Sequence, residues 1–598
     1  MSDLLLSKIQ SSLQKLTTRN VFVLLLLIGL CVYGNAIFHP FVHDDVVFIQ
    51  QNPNIQNLDF FSIFFQATSP QEKIINLYYR PVLEGVYRLQ YKLFGLNSYG
   101  FHLFNILIHI GNAFLVFCFC RFVFKEREFK QWLALSVAVI FLIHPVQSEA
   151  VACISGISNT LLLFLCLISL NCYCYAFYRQ DSFKKVILLL CSLLIFFLAL
   201  FTKEQAIMFP VILVIYGLFF PKDAKDRSRV WMHGALFVLI AAGYFSFRKL
   251  IFGSTVKLGL TFDHEFWLRI FSIPATLLEY VRIIFLPYDL HYYRSKDILD
   301  PYIIPLLILV LVLVLISLWL KRTKSEQRKY VFFGLLWFIV WLLPILNIIP
   351  IINEYSTILT SEHFLYIPLV GILIAVFSAL EHVYRQRGFR AGFSMFSLIV
   401  IVFSFLTVWH NTFWKNEIVL FERVVEFEDH FGRGYNLLAK AYYQAGDYEK
   451  AVVADRKALD IMRGYLAKSK GTAAESFYSG FIKGIHFDLA QYYQALGRIP
   501  LTLQNYREAI AIDPKDGIVY NNIATVYLSM GQMDQAFEYL RQSVTLTPDN
   551  ALAWNNLAIC YIDRGELDKA EQCFRRALAY DPSLISAKDN LERLIHRP

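Results

Sequence analysis

The sequence predicts an all-α protein, in which a polytopic bundle of membrane helices is followed by a soluble α-solenoid. Hydrophobic residues make up 57% of the 598 positions, charged residues make up 17%, and the mean hydropathy is +0.47. Soluble globular chains are less apolar, so this composition indicates a membrane protein. After about residue 410 the chain becomes polar and shows a 34-residue period, which is typical of helical repeats. We therefore expect a membrane domain at 1–410 and a repeat domain at 411–598.

Eleven apolar segments each approach the ~20 residues that a helix needs to cross a bilayer. Their approximate bounds are 20–38, 101–122, 131–147, 156–178, 186–202, 205–220, 231–251, 302–320, 330–349, 363–380 and 391–409. The first segment has no small-residue cleavage site, which indicates a signal anchor and not a cleaved signal. A further apolar stretch at 266–286 carries three charged residues, so we expect it to lie in the membrane plane or to re-enter the membrane.

Lysine and arginine clusters occur in every second loop between these segments. The alternate loops at 148–155 and 350–362 contain neither residue type. By the positive-inside rule, this alternation predicts a cytoplasmic N-terminus, and the odd number of spans then places everything after Asn411 on the extracytoplasmic side. The basic residues behind the net charge of +9 lie in short clusters between apolar runs, a pattern that does not indicate nucleic-acid binding.

Two adjacent carboxylates, Asp44 and Asp45, follow the first predicted span. They are either the solvated end of a membrane helix or a pair placed at the membrane surface to act on a lipid-bound substrate. Two basic residues have comparable positions: Arg80 lies in the first long outer loop, and Lys203 lies in a short turn between two apolar runs. Each of these cations either binds an anion or extends its charge to the interface, as lysine and arginine commonly do.

The C-terminal period has the signature of a tetratricopeptide repeat. One whole repeat is fitted by Trp554, Leu557, Tyr561, Gly565, Ala570, Phe574, Ala577 and Pro582. An earlier unit precedes the next by 51 residues, which is one repeat plus 17, so we expect an insertion near 462–482. Residues 585–598 are expected to form a capping helix. Such solenoids bind peptides or proteins in a concave groove, and the alternative is a purely structural or oligomerising array.

Several short motifs follow one another along the membrane half of the chain. They are Phe41-Val42-His43-Asp44-Asp45, Tyr79-Arg80-Pro81-Val82, Gly100-Phe101-His102-Leu103-Phe104-Asn105, His144-Pro145 with Glu149-Ala150-Val151, Lys203-Glu204, and Glu362-His363-Phe364-Leu365-Tyr366-Ile367-Pro368. With them, the membrane half resembles the C-type (GT-C) glycosyltransferases. The whole chain resembles the transmembrane-and-tetratricopeptide-repeat O-mannosyltransferases and their bacterial relatives.

This resemblance implies transfer of mannose or another hexose from a polyprenyl-phosphate donor to a Ser or Thr hydroxyl of a protein, with inversion. It implies a bacterial inner or plasma membrane, extracytoplasmic repeats that bind the acceptor, and no cofactor besides the lipid-linked sugar. The implied catalytic carboxylate is Asp44 or Asp45. The implied donor-phosphate ligands are Arg80, Lys203 and His363, and the implied supporting groups are His102, Glu149, Glu204 and Glu362.

The sequence departs from the family pattern at two positions. His363 and Ile157 stand where relatives commonly have arginine, and a histidine is cationic for only part of the time near neutral pH. His102 and His109 lie seven residues apart on one helix face, a spacing for which helix packing is a better explanation than a metal, so we predict no metal site.

Three other functions compete with this interpretation. A non-catalytic membrane-anchored scaffold would keep the repeats without needing the acidic pair and the cations together. A GT-C enzyme that acts on a lipid or glycan would have no evident need for a peptide-binding solenoid. A transporter would place charges near the bilayer midplane, whereas the acidic residues here cluster at outer helix ends.

Overall fold

The computed structural model describes residues 16–56, 59, 63, 79–179, 181–221, 223–252, 264–295, 303–322, 325–346, 358–471 and 474–596. The predicted all-α class is confirmed. In the described part, the exceptions are two short strands, β1 (Arg294–Ser295) and β2 (Ile358–Thr360), which pair antiparallel. The chain divides into two compact units, the first ending at Arg423 and the second beginning for the most part at Val424.

The helices of the first unit follow the apolar segments of the sequence. They are α1 (Thr18–Tyr33), α2 (Pro81–Phe94), α3 (Ser98–Val123), α4 (Lys130–Ile143), α5 (Ser148–Ala152), α6 (Ile157–Tyr178), α7 (Ser182–Leu200), α8 (Phe209–Phe219), α9 (Ala224–Phe252), α10 (His264–Phe285), α11 (Ile303–Arg322), α12 (Ser325–Leu342) and α13 (Pro368–Asn411), with α14 (Glu417–Phe427) at the boundary.

Among the described residues, seven helical segments are long and apolar enough to cross a membrane, and a bent pair, Lys130–Ile143 with Pro145–Ala152, makes an eighth span if it crosses as one. Three shorter apolar helices, Glu204–Phe219, Ile303–Trp319 and Pro368–Glu381, account for the rest of the eleven expected segments. The chain is therefore a multi-pass membrane protein. The stretch expected to lie in the plane forms α10, which is not among the spans found in the described residues.

The last two expected spans, 363–380 and 391–409, lie within α13, which is helical throughout from Pro368 to Asn411. The ring centres of Phe377 and Phe396 are nevertheless 6.2 Å apart, whereas the same residues of a straight helix would be about 28 Å apart. The two apolar segments, Pro368–Glu381 and Ala391–Trp414, therefore turn back on one another. The first of them packs closely against α12. A Cβ atom at Gly334 of α12 would lie 2.3 Å from the carbonyl oxygen of Gly371 of α13. Small residues at such crossings let two membrane helices approach closely.

The second unit consists of paired helices. They are α15 (Gly432–Gln444), α16 (Tyr448–Lys468), α17 (Ala474–Ala495), α18 (Ile499–Ile512), α19 (Gly517–Ser529), α20 (Met533–Leu546), α21 (Ala551–Asp563), α22 (Leu567–Tyr580) and α23 (Ile585–Ile595). Glycine ends the first helix of each pair in the left-handed region, where φ is +70° at Gly497, +71° at Gly531 and +75° at Gly565. The extra residues lengthen α16 and α17 to 21 and 22 residues, whereas α19 has 13.

Candidate active site

Asp45 is buried and held by backbone amides. Its side chain, which is 1% exposed, accepts hydrogen bonds from the amides of Ser155 at 2.6 Å, Ile154 at 3.3 Å and Val42 at 3.4 Å. Burial raises the pKa of Asp45 to about 6, and these three amides favour the ionised form. Asp45 thus fastens the loop after α1 to the turn that precedes α6.

Asp44, the neighbouring residue, has a different environment. Its side chain is 42% exposed, and Tyr292 donates a hydrogen bond from its hydroxyl to Asp44 Oδ2 at 3.3 Å. His43 Nε2 lies 3.5 Å from the other oxygen. The backbone of His43 has a φ of +54°, a left-handed conformation that is uncommon for a residue with a side chain. Asp44 is therefore a partly exposed carboxylate that a tyrosine hydroxyl orients.

The turn that receives Asp45 is fixed from its other side as well. Asn105 of α3 donates from Nδ2 to the carbonyls of Val151 at 2.9 Å and Cys153 at 3.2 Å, and its Oδ1 accepts from Thr160 Oγ1 at 2.8 Å. A Cβ atom at Gly156 would lie 2.5 Å from the carbonyl oxygen of Ala150, so a side chain there would displace the turn. The motif that contains Asn105 thus has a clear structural role.

Arg80 belongs to a cluster of basic side chains around Glu204. Arg80 Nη2 lies 2.9 Å from Glu204 Oε2, and Arg248 Nη1 of α9 lies 3.4 Å from Glu204 Oε1. All three side chains are largely buried but remain between 17% and 29% exposed. Two arginines share one carboxylate, so the cluster keeps a positive charge. Sequence analysis did not identify Arg248.

Lys203 joins this cluster from the adjacent position. Its Nζ donates to Asn159 Oδ1 of α6 at 2.6 Å, and it lies 6.0 Å from the centre of the Phe364 ring. Burial lowers the pKa of Lys203 to about 7, and the nearby charge of Arg80 adds to this effect. The segment at 153–159 therefore contacts Asp45 through its amides and Lys203 through Asn159. It brings the acidic pair and the cations together at the start of α6.

His363 is paired with a buried carboxylate. Its Nδ1 lies 2.5 Å from Glu149 Oε1, and its backbone N–H donates to Glu149 Oε2 at 2.8 Å. Ser361 Oγ donates to the same carboxylate at 3.0 Å. Glu149 therefore fixes the orientation of the imidazole and balances its charge when it is protonated. Glu149 also favours the charged form of Lys203, which places the three groups in one electrostatic environment.

Glu362 lies in a different network. Its Oε1 accepts from the backbone N–H of His291 at 2.6 Å and from Arg294 Nη2 at 3.1 Å. Burial raises the pKa of Glu362, and Arg294 opposes the rise. These two bonds flank Tyr292, so Glu362 positions the residue that hydrogen-bonds Asp44. His102 instead packs edge-on against the His39 ring, with ring centres 6.0 Å apart.

His109 has partners within the helix bundle. Its Nδ1 lies 2.7 Å from the Tyr366 hydroxyl, and its Nε2 lies 3.0 Å from the Leu142 carbonyl oxygen. These contacts connect α3 to neighbouring segments. Among the described residues, no group of three or more His, Cys, Asp or Glu side chains is arranged to hold a metal ion.

Curated relatives of this chain share one printed name. The human protein O-mannosyl-transferase TMTC1 is 30% identical over 208 residues, which are 33% of this chain and 23% of that protein. Protein O-mannosyl-transferase Tmtc3 of Drosophila melanogaster is 21% identical over 587 residues, which are 84% of this chain and 60% of the relative. The predicted family resemblance is confirmed. The chain spans between about a quarter and three fifths of the length of these relatives.

The repeats of this O-mannosyltransferase-like chain also match known models. Tetratricopeptide repeat models match residues 433–465 and 516–583. Among solved structures, the crystal structure of MamA is 18% identical and covers 28% of this chain and 86% of its own, with a TM-score of 0.23. The crystal structure of YrrB, a repeat protein with an unusual peptide-binding site, is 16% identical and covers 29% and 81%, with a TM-score of 0.23.

Proposed function

We propose that this chain is an inverting membrane glycosyltransferase that moves mannose, or another hexose, from a polyprenyl phosphate to a Ser or Thr hydroxyl of a protein. One observation carries the proposal. The segment at 153–159 contacts both Asp45 and Lys203, which supports grouping Asp44, the neighbour of Asp45, with the basic cluster in one site. The printed names of the relatives support the same reaction type.

In this proposal Asp44 is the general base. A Ser or Thr hydroxyl is a poor nucleophile, so a carboxylate takes its proton as the bond from oxygen to the anomeric carbon forms. Exposure favours Asp44 over Asp45, because both Asp45 oxygens already accept backbone hydrogen bonds. The hydroxyl of Tyr292 holds one Asp44 oxygen and leaves the other directed towards His43 and solvent.

The basic cluster stabilises the leaving group. As the bond between the anomeric carbon and the phosphate oxygen breaks, the electron pair departs with the polyprenyl phosphate, which gains negative charge. Arg80, Arg248 and Lys203 are the cations placed to receive it, because charge-assisted contacts to phosphate are strong where water is scarce. His363 stays a predicted phosphate ligand, with its Nδ1 beside Glu149. The reaction needs no cofactor besides the donor.

The acceptor and the location belong to the proposal too. The alternation of basic loops supports a bacterial inner or plasma membrane protein with a cytoplasmic N-terminus and extracytoplasmic repeats. The repeats would bind a protein or peptide acceptor on the side where the sugar is transferred.

The decisive experiment uses the purified full chain in lipid nanodiscs. Radiolabelled mannose, glucose and galactose are each supplied on a polyprenyl phosphate, with a Ser- and Thr-containing peptide as acceptor. We expect one donor to be consumed and its label to appear on the peptide through an O-glycosidic bond. A well-folded protein that neither hydrolyses nor transfers any of these donors would favour the scaffold function instead. Label on lipid or glycan only would identify the second alternative.

A further inference from the structure

The first turns of α14 contact the loop that carries Asp44. Glu417, the first residue of this helix, accepts a hydrogen bond at Oε1 from the backbone N–H of His43 at 2.9 Å. The His43 ring packs edge-on against both Phe421 of the same helix and Tyr292, with each ring centre 5.3 Å away. All these residues belong to the first unit. The residue before the proposed base is therefore held by a side chain that lies 374 positions further along the chain.

The backbone of His43 needs such support. Its φ of +54° is a left-handed conformation, which costs conformational energy in a residue that has a Cβ atom and persists only where the surroundings impose it. Glu417 holds the N–H on one side of the His43 Cα atom. On the other side, Val46 donates its N–H to the His43 carbonyl oxygen at 3.0 Å. These two bonds fix the path by which the chain enters Asp44.

The same helix holds the second support of Asp44. Tyr292 donates its hydroxyl hydrogen to the Asp44 carboxylate, and Arg423 of α14 binds the segment that leads to Tyr292. Arg423 donates from Nη2 to the carbonyl oxygen of Tyr288 at 3.2 Å and from Nε to that of Leu290 at 3.4 Å. One helix thus fixes the backbone of both segments that determine where the Asp44 carboxylate lies.

An acidic residue in the first turn of a helix is often explained by the helix dipole alone. Such a residue has no need of a partner in a distant loop, whereas Glu417 binds the peptide next to Asp44. We propose that Glu417 is a positioning residue, which directs the Asp44 carboxylate towards the acceptor hydroxyl and takes no part in the proton transfer itself. This inference deepens the proposed function and rests on it, because Asp44 is the general base only in that reaction.

Three variants at this position separate the acceptor oxygen from the charge. Glu417→Gln keeps an oxygen at the same reach, so the rate of transfer should stay within about threefold of the native rate. Glu417→Ala removes the acceptor. A displacement of about 1 Å can cost ~100-fold in rate, so we expect kcat to fall about 10- to 100-fold. If Glu417→Ala melts early, Glu417→Asp, whose carboxylate is one methylene shorter, should show a smaller loss of the same kind.

Two further measurements keep the inference apart from a general loss of fold. The Kd and the stoichiometry of donor binding should stay within about twofold of the native values in Glu417→Ala, because the basic cluster is unchanged. The ratio of peptide transfer to donor hydrolysis should fall at least fivefold, because a mobile water adapts to a displaced base more easily than a hydroxyl held on a peptide. Unfolding would reduce both activities in proportion. The matched control is Glu422→Ala, an exposed glutamate of the same helix, which should behave as the native chain does.

A double variant tests whether Glu417 acts through Asp44. Adding Glu417→Ala to Asp44→Asn should slow residual transfer by no more than about threefold, because the effects of residues that act as one unit do not multiply. A purely structural role would multiply the two losses.

A last measurement needs no sugar donor. Hydrogen exchange of the full chain in nanodiscs, followed on a proteolytic fragment that contains His43, reports whether its N–H is held. Exchange of this amide should be at least tenfold faster in Glu417→Ala and nearly unchanged in Glu417→Gln.

Three outcomes would overturn the inference: native kcat in Glu417→Ala, a full further loss in the Asp44→Asn background, or unchanged exchange at His43. Any of them, in a native chain that transfers sugar, would count only against the positioning role. A native chain without transfer or hydrolysis would count against the proposed reaction, and the exchange at His43 would still decide whether Glu417 holds this peptide.

Discussion

The adjacent residues Asp44 and Asp45 provide a matched test, because the same Asp→Asn change should reduce mainly the transfer rate at Asp44 and mainly the stability at Asp45. Asp44 is partly exposed, so water can replace its contacts and Asp44→Asn should shift the melting temperature by less than about 2 °C. Transfer should nevertheless fall by about 10²–10⁴-fold, the usual contribution of a general base.

Asp45→Asn should instead damage the fold. The two carboxylate oxygens accept three backbone N–H groups, whereas the asparagine side chain keeps one oxygen and turns an NH₂ group towards the remaining donors. Leaving one or two buried donors unsatisfied costs about 1–3 kcal/mol each. The melting temperature should then fall by several degrees, because the usual entropy of unfolding gives about 1 °C per kcal/mol for a unit of about 400 residues.

The assays are thermal unfolding in nanodiscs and transfer from a polyprenyl-phosphate sugar, measured on the same preparations. Native transfer rates in a folded Asp44→Asn variant would refute the assignment of the base. A stable, inactive Asp45→Asn variant beside an active Asp44→Asn variant would exchange the two roles.

Three further predictions concern the basic cluster and the topology. Replacing Arg80, Arg248 or Lys203 by Met should weaken donor binding about ten- to hundredfold, since each charge-assisted contact is worth ~1.5–3 kcal/mol. Donor binding should weaken as the pH rises above about 7, because the lowered pKa of Lys203 leaves the ammonium present only below that value. Lys203→Arg should flatten this profile, because a guanidinium stays protonated throughout this range, whereas His363→Arg should leave Lys203 and its profile in place. A tag at the C-terminus should be open to protease in intact spheroplasts.

The controls for these predictions use the same protein. Unchanged donor affinity in all three Met variants would contradict the phosphate assignment, and a flat pH profile in the native chain would contradict the role of Lys203. A profile flattened by His363→Arg would transfer that role to His363. A tag protected from the protease would show that the topology is the reverse of the one proposed, with Asp44 on the cytoplasmic side.

The fold was predictable where the signal is local. Apolar runs give the membrane helices, and the 34-residue period places the helix pairs of the second unit together with the glycines that separate their helices. The two spans expected at 363–380 and 391–409 are local apolar runs as well. The segment between them stays helical, which the sequence does not predict, because charged residues between two apolar runs are compatible with a loop and with a helix alike.

The candidate site was predictable only in part, because the role of each residue depends on contacts with residues that are distant in the sequence. Asp44 and Asp45 are indistinguishable in sequence, and the groups that separate them, Ser155 and Tyr292, lie more than 100 residues away. The sequence does not predict a role for Arg248, because it lies near the end of an apolar helix, where arginine is a common residue. Its role depends on Glu204, which is 44 residues earlier in the chain.

The turn at 153–156 has an evolutionary consequence, because its surroundings hold it by its backbone. Asp45 accepts hydrogen bonds from the backbone amides of the turn, and Asn105 donates one to the carbonyl of Cys153. Gly156 has no room for a side chain. Drift should therefore be tolerated at Ser155, whose contact with Asp45 involves only its main chain, while Asp45, Asn105 and Gly156 should be nearly invariant among orthologues. Random mutagenesis scored by activity would recover Gly156 substitutions as apparent active-site lesions, although their effect on the turn is steric.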